Sequence, residues 1–343
     1  MKVALIAPSV FPCPPRGYGG IEALVYWLGK ELIKLGCEVT LIAPKGSKLP
    51  DGEVIETINP PMRWTGLEEQ EAYKTYKDKL KQFDIIHDHS HEKWSYIAKL
   101  ENPNLKIIST IHGIQTWQSL PPVTTPNLVA ISKFHSKDMV MRYNYTCKIV
   151  YHGIPVNEYP YQQEKTNVIL SFGLISKHKG HHISAYLARR LKFPLLIAGE
   201  DQFVTDREYV DYVKKICEAN NQIMKYKGRM TVEEKLLYFS KVKALLLPFL
   251  TDEAFSLIAI EALACGTPVI TTSKGAMPEI ITDKQNGFLC QTLEDFEKAI
   301  KSTYEEPIPP EKCRKTAEKK FTSEIMAKNY LNLYKQILEG KEW

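Results

Sequence analysis

The chain has 343 residues, of which 44% are hydrophobic and 25% charged, with a net charge of +5. That length favours two domains, and that composition a folded globular chain over a disordered one. The charge is spread as +2 over residues 1–160 and +3 over the remainder, so the sequence holds no basic arm suited to nucleic acid.

The cysteines (Cys13, Cys37, Cys147, Cys217, Cys265, Cys290, Cys313) are odd in number, scattered, and lack any C-x-x-C pair. This argues against a disulfide framework or a zinc site and fits a reducing cytosol. The opening MKVALIAP is too short for a signal peptide, and no apolar run approaches membrane-spanning length. The expectation is a cytoplasmic protein with at most peripheral membrane contact and no nucleic-acid partner.

In chain order, Lys2–Pro8 is a continuous apolar run, the pattern of a strand buried on both faces of a parallel sheet. A loop holding Gly17, Gly19 and Gly20 follows. Residues 21, 24, 25, 28, 32 and 35 are then apolar at helical spacing, and Gly36 marks a stop. Cys37–Pro44 is a second strand, which completes a βαβ unit, and Val54–Ile58 a candidate third. Leu67–Gln82 reads as an exposed helix, with Glu68, Glu69 and Glu71 early and Lys74, Lys77, Lys79 and Lys81 late, the order that suits a helix dipole. Its basic end reads as a solvated face, with contact to a membrane surface or an acidic acceptor as the alternative. Phe83–Asp88, Lys106–His112, Asn127–Ile131 and Cys147–Val150 supply further strands, with helices at about 92–100 and 132–142. Residues 152–165 read as an interdomain linker.

A second series begins with the strand Val168–Phe172 and the glycine-bounded loop Gly173–Gly180. It continues through Pro194–Gly199, a helix near 206–219, Gln222–Lys227, the capping box Thr231-x-x-Glu234, and Lys243–Phe249. A helix at 257–264 is apolar on nearly every face yet carries Glu261. The last helix, about 322–339, is amphipathic. The alternation predicts an α/β protein with two doubly wound, Rossmann-like domains and a ligand cleft at the carboxyl ends of their strands.

The loops must then name the chemistry. Neither G-x-G-x-x-G nor G-x-x-x-x-G-K-[ST] is present, which removes support from dehydrogenase and P-loop readings. What remains is a diphosphate site in pieces. Ser256 can cap the helix carrying Glu261, leaving the amides of Phe255, Ser256, Leu257 and Ile258 at a positive helix end. Lys177 and Lys179 sit in a loop after a strand, Arg229 follows Gly228 at another strand end, and Gly19-Gly20 opens a helix. Taken singly, each has an ordinary reading as a tight turn or a solvated cation. Glu261 has two readings from position alone. It is a structural carboxylate paired with a core arginine or a backbone amide, or it accepts two hydrogen bonds from a vicinal diol such as a ribose. Glu253 lies one turn outside the helix, where it would meet a group beyond the phosphates. His87, Asp88, His89 and His91 lack the i, i+4 spacing of a zinc helix, and no metal is expected.

The run from Glu253-Ala254-Phe255-Ser256 through Glu261 to Gly266-Thr267-Pro268-Val269-Ile270 resembles the E-x7-E signature of the retaining glycosyltransferases of family 4. The likeness continues in Gly275-Ala276-Met277-Pro278-Glu279, Asn286-Gly287-Phe288-Leu289, Gly19-Gly20, Thr110-Ile111-His112-Gly113 and Ser176 through Gly180. It implies a GT-B fold with an acceptor-side domain over residues 1–155, a donor-binding domain over 165–321, and a C-terminal helix, about 322–343, crossing back to the first domain. It also implies the roles. Glu261 would hold the donor ribose and Glu253 the sugar hydroxyls. Lys179, Gly20 and the amides at 256–258 would hold the diphosphate, and His112 would sit by the reacting sugar. Glu253 and His112 are then the candidate catalytic residues. The donor-binding candidates are Gly19, Gly20, Lys177, Lys179, Arg229, Phe255, Ser256, Leu257, Ile258 and Glu261. Stabilising a leaving group with cations and amides is an electrostatic form of catalysis that calls for no metal or cofactor.

Three departures from the family pattern stand out. Leu174 replaces an arginine that usually joins the lysine, so that either Lys177 or Arg229 supplies that cation or donor affinity is weaker. Ser256 replaces a glycine, and His152-Gly153-Ile154-Pro155 replaces N-G-[IV]-D. The expected reaction moves a hexose-type sugar, with retention, from a nucleotide-diphosphate sugar to a hydroxyl acceptor. A non-transferring sugar-nucleotide binding protein and a sugar-nucleotide epimerase on the same fold are the alternatives. Base contacts are expected from backbone near Gly228–Met230. Phe11, Tyr18, Trp64 and Trp117 in the acceptor loops fit a sugar or lipid-linked sugar.

Overall fold

The computed structural model describes residues 1–61, 65–114, 123 and 125–343. The first half builds β1 (Lys2–Ile6), α1 (Gly20–Lys34), β2 (Glu38–Ala43), β3 (Glu53–Glu56), α2 (Leu67–Tyr76), β4 (Ile85–Asp88), α3 (Ser95–Glu101), β5 (Ile107–Thr110), β6 (Leu128–Ala130), α4 (Lys133–Tyr143) and β7 (Cys147–Ile149). The strands form one parallel sheet in the order β3-β2-β1-β4-β5-β6-β7. The central strands β4 and β5 are buried at every position, whereas the edge strands β3 and β7 expose residues, the distribution a two-sided parallel sheet imposes.

The second half builds β8 (Ile169–Phe172), α5 (His181–Leu191), β9 (Leu195–Ala198), α6 (Arg207–Ala219), β10 (Met224–Gly228), α7 (Val232–Lys241), β11 (Ala244–Leu247), α8 (Leu257–Ala264), β12 (Val269–Thr272), α9 (Met277–Ile280), β13 (Gly287–Cys290), α10 (Leu293–Glu305) and α11 (Pro310–Lys320). Its sheet is also parallel, in the order β10-β9-β8-β11-β12-β13. The two sheets are those of two Rossmann-like domains. The last helix, α12 (Ser323–Leu338), returns to the first sheet and packs on α1, burying Met326, Tyr330, Leu333, Tyr334 and Ile337.

The chain thus forms two compact units, residues 1–155 with 322–343, and residues 156–321. Within the first, Ile154 bridges Thr322 in parallel and the Ser323 amide donates to the Ile154 carbonyl at 2.8 Å. A side chain at Gly153 would meet the Thr322 carbonyl oxygen at 2.2 Å, so only glycine lets these segments lie together.

The segment 67–82 corrects an expectation. It is not an exposed helix: α2 ends at Tyr76 and continues as a 3-10 helix to Gln82, and Glu69, Ala72, Tyr73, Tyr76 and Leu80 are buried. The charges at 68, 71, 74, 77, 79 and 81 hid the apolar stripe at 72, 73, 76 and 80, which packs under the sheet with Tyr96 and Ile86. Glu69 is no surface acid. It accepts the amides of His91 and Glu92, and burial raises its carboxyl to about 7. No helix among the described residues is long and apolar enough to cross a membrane.

Candidate active site

In the second unit the carboxyl ends of β8 and β11 bring two loops together. The β8–α5 loop turns at Gly173 and Gly180, both at positive φ. A side chain on Gly180 would meet the Pro248 carbonyl oxygen at 2.1 Å, and the Leu250 amide donates to the His178 carbonyl at 2.9 Å. The loop holding Lys177–Lys179 is thereby fastened to the segment after β11. His181, the first residue of α5, closes it from within. Its Nε2 lies 3.0 Å from the Leu174 carbonyl, so Nε2 carries the proton, and Nδ1 accepts from Ser171 Oγ at 2.9 Å. Burial pushes His181 down to about 4.

Lys179 Nζ reaches Glu253 Oε1 at 2.7 Å and lies 4.9 Å from the centre of the Phe249 ring. Glu253 is fixed through its backbone, whose carbonyl accepts the Ala276 amide at 2.8 Å, and Asp252 accepts the Gly275 amide at 3.0 Å. Gly275 sits so close that a Cβ would lie 2.4 Å from Glu253 backbone atoms. The GAMP turn is therefore a brace for the Glu253 loop.

Ser256 Oγ accepts the Ala259 amide at 3.4 Å and so caps α8. Leu257 and Ile258 are half-buried at the helix start, and a Cβ at Gly173 would lie 3.8 Å from Ile258 Cδ1 and 4.0 Å from Lys179 Cγ. Gly173, Lys179 and the N-terminus of α8 thus share one spot. Phe255 packs its ring edge-on against Phe321, at 5.9 Å between centroids, which anchors the loop rather than offering a face.

Further along α8, Glu261 is 4% exposed. Its Oε1 accepts from Lys235 Nζ at 2.7 Å and from Tyr159 Oη at 3.0 Å. These two side chains take the place of the core arginine or backbone amide expected from sequence. Arg314 instead braces the helix end: its Nη1 donates to the Ala264 carbonyl at 2.7 Å and the Tyr159 carbonyl at 3.0 Å, which tethers Tyr159 to the end of α8. Lys165 completes that end by donating to the Cys265 carbonyl at 3.0 Å.

Arg229 is engaged by its own neighbours. Its Nε lies 3.1 Å from Glu200 Oε2 and its Nη1 donates to Gln202 Oε1 at 2.5 Å. The Glu200 carbonyl accepts the Ile175 amide at 2.8 Å, so the ends of β8, β9 and β10 are linked.

In the first unit Gly19 caps α1 at φ 142, and a Cβ there would lie 2.8 Å from Pro15 Cβ. The Glu22 carboxylate folds back on the same helix end. It accepts its own amide and that of Phe11, and burial raises it to about 7. The histidines after β4 and β5 form a row. His89 Nδ1 lies 2.9 Å from His112 Nε2, and His112 Nδ1 lies 3.4 Å from His152 Nε2. The His87 ring lies 3.9 Å from that of His89, tilted by 40°, and bridges Tyr334 Oη, at 2.7 Å, and Thr110 Oγ1, at 2.8 Å. Burial, then His89, His152 and Lys93, hold His112 well below the ordinary imidazole value, so it is neutral near pH 7.

The model for Glycosyltransferase Family 4 matches residues 18–158, and that for Glycosyl transferases group 1 matches residues 160–320, so that the two follow one another along most of the chain. The chain belongs to the glycosyltransferases. YtcC of Bacillus subtilis strain 168, provisionally named a glycosyltransferase, is 23% identical over 99% of this chain and 93% of its own length. Sucrose-phosphate synthase from Thermosynechococcus elongatus superposes with a TM-score of 0.81 at 18% identity, over 99% of this chain and all of that one. HepE of Anabaena, solved with UDP and glucose, gives 0.72 at 16% identity over 99% of both chains. These likenesses carry the GT-B fold.

Of the residues singled out from sequence, the glycosyltransferase brings Lys179, Glu253, Ser256 and Ile258 together, with Glu261 one turn further along α8. Lys177 is exposed in the same loop. Arg229 is bound to Glu200 and Gln202. Gly19, Gly20 and His112 belong to the first unit. Phe11 and Tyr18 pack edge-on at 6.3 Å, while Trp64 and Trp117 fall outside the described residues. Sequence reasoning missed Lys235 and Tyr159, which hold Glu261, and His181, which holds the lysine loop. It also missed Glu22, Glu69 and the row formed by His89 and His152. Lys235 follows directly on the capping box at Thr231 and Glu234, which the structure forms in full. That box fixes where α7 starts, and with it the face Lys235 occupies. The others carry no local signal.

Proposed function

We propose that this glycosyltransferase moves a hexose-type sugar, with retention at the anomeric carbon, from a nucleotide-diphosphate sugar to a hydroxyl acceptor, without a metal. The observation that carries this reading is the Lys179–Glu253 ion pair beside the capped start of α8, on the helix that buries Glu261. Lys179 and the amides at the α8 start take the diphosphate. A diphosphate is a stronger partner for Lys179 than one carboxylate, so its arrival releases Glu253 to accept from the sugar hydroxyls. Lysine and amides then stabilise the charge that grows on the leaving diphosphate, and His112 contacts the transferred sugar. Lys235 and Tyr159 both end on Glu261 Oε1, and Oε2 accepts from the ribose diol. Lys177 supplies the second cation that Leu174 lacks, while Arg229 fixes the Glu200–Gln202 turn beside it. HepE, solved with UDP and glucose, supports a donor of this class.

The test is incubation with a panel of nucleotide sugars and an acceptor mixture, reading released nucleoside diphosphate and the anomeric configuration of the product. Release with a retained linkage is expected. An inverted product refutes retention. Binding without release across the panel makes the protein a sugar-nucleotide binder.

A further inference from the structure

In the first unit the carboxyl ends of β1, β2 and β4, the residue after β3 and the first turns of α2 surround a cavity with room for about one water-sized group. Its lining combines Thr57, Glu69 and Ser90 with Ile6, Ile42 and Ala72. Ligands of parallel α/β sheets sit beyond the carboxyl ends of the strands, which is where this cavity lies. The His89 amide donates to the Ile6 carbonyl at 2.8 Å, so the cavity and the row of imidazoles that holds His112 share the ends of β1 and β4.

Two of the lining residues have bonding capacity to spare. Thr57 is 7% exposed, and its Oγ1 is buried with no hydrogen-bond partner among the described residues. Its amide donates to the Ala43 carbonyl at 2.9 Å, which ties its backbone to the end of β2. A buried hydroxyl left unpaired is costly, and native structures rarely keep one without a partner. Glu69 is 2% exposed and accepts the His91 amide on Oε1, at 2.8 Å, and the Glu92 amide on Oε2, at 2.5 Å. A carboxylate offers about four acceptor positions, so Glu69 still has acceptor capacity for a further donor. Ser90 is already committed, since its Oγ donates to Asp88 Oδ1 at 2.6 Å.

These groups select the occupant. An anion is excluded, because no lysine or arginine lines the cavity and Glu69, whose charge is felt as far as Glu22, would stand against it. An ammonium would meet Glu69 but would leave N–H groups facing Ile6, Ile42 and Ala72, and an unsatisfied buried charge is more costly than a neutral group. A neutral hydroxyl suits both partners, donating to Glu69 and accepting from Thr57. We infer that the cavity is a binding site for one hydroxyl of a neutral polyol, a sugar or a cyclitol, and that this polyol is the acceptor. Its standing as acceptor rests on the function proposed above; the binding of a neutral hydroxyl does not.

The experiment is saturation-transfer-difference NMR on the whole chain, titrated with methyl glucoside, myo-inositol and glycerol as neutral probes, glucosamine as a cation and glucose 6-phosphate as an anion. A neutral probe is expected to bind at least as tightly as either charged one. Thr57→Val should weaken that binding about 3- to 10-fold, the worth of one neutral hydrogen bond, while Thr57→Ser, which keeps the hydroxyl, should retain it. The unfolding midpoint should not fall in Thr57→Val, because the hydroxyl it removes has no partner in the free protein; Thr57→Ala is a second variant lacking the same group. Equal affinity in the wild type and both hydroxyl-free variants overturns the inference and leaves the cavity to a water. Failure of every neutral probe to bind overturns it too, as does tighter binding of glucosamine or glucose 6-phosphate than of any neutral probe. With a donor that is turned over, Thr57→Val should raise the acceptor KM by the same factor and leave kcat and the donor KM little changed. If no nucleotide sugar is turned over, the transferase reading fails, and the binding titrations still decide what the cavity holds.

Discussion

Lys235→Met isolates the group that satisfies Glu261. It removes the ammonium that lies 2.7 Å from Oε1 and leaves a carboxylate, 6% exposed in its side chain, with Tyr159 alone. Breaking one side of a fully buried pair costs about 3–5 kcal/mol, because the remaining charge is stranded. Lys235 is itself 20% exposed, so solvent screens part of the attraction and about 2–3 kcal/mol is expected. At about 2–4 °C per kcal/mol for a unit of this size, the midpoint of the second unit should fall by about 4–12 °C. Adding Glu261→Gln removes the stranded charge and keeps an acceptor for Tyr159, so the double variant should recover about 1–2 kcal/mol. Urea unfolding followed by far-UV circular dichroism reads both units. All five tryptophans (27, 64, 94, 117 and 343) fall in the first unit, so their emission gives an internal reference. If Lys235→Met costs less than about 0.5 kcal/mol, or if Glu261→Gln deepens the loss, the ion pair does not hold Glu261 in place.

Three further outcomes follow from the site. Gly180→Ala forces a side chain into φ 74 against the Pro248 carbonyl and should cost the second unit more than about 2 kcal/mol, together with donor binding, measured by unfolding and by nucleotide titration. Lys179→Ala should raise the donor KM by about 10- to 100-fold, the worth of one charge-assisted phosphate contact, whereas Arg229→Ala, whose guanidinium is spent on Glu200 and Gln202, should change it less; equal effects in steady-state kinetics would assign Arg229 to the phosphates. Acid should weaken the second unit through His181. Its folded value, about 4, is below the unfolded value near 6.5, so the stability it gives is complete above pH 6.5 and is lost as pH falls toward 4. Between pH 6.5 and 5 this amounts to about 2 kcal/mol, and His181→Gln, which keeps a donor for the Leu174 carbonyl, should flatten the dependence in unfolding midpoints. In the first unit Glu22 and Glu69, both at about 7, act with the opposite sign over pH 4.5–7, so its acid response is shallower per buried histidine.

The features legible in the sequence are those whose cause is local. A strand buried on both faces must be apolar throughout, so Lys2–Pro8 and Lys243–Phe249 announced β1 and β11 without any knowledge of their neighbours. The Thr231–Glu234 box and the Ser256 cap are bonds between residues three apart, and both formed. Segment 67–82 misled for the complementary reason: its charges are local and visible, while the surface that buries Tyr73 and Tyr76 belongs to other elements.

The sequence by itself determined two parallel α/β series, the caps that start α7 and α8, and the family signature that puts Glu253 and Glu261 eight residues apart. The tertiary structure alone decided what those carboxylates touch. Lys179 and Glu253 are separated by 74 positions, Tyr159 and Glu261 by 102, and His112 and His152 by 40. A pairing at such separation leaves no periodic or neighbouring trace in the chain. It comes into being only when parallel strands end side by side and set their loops on one edge of the sheet.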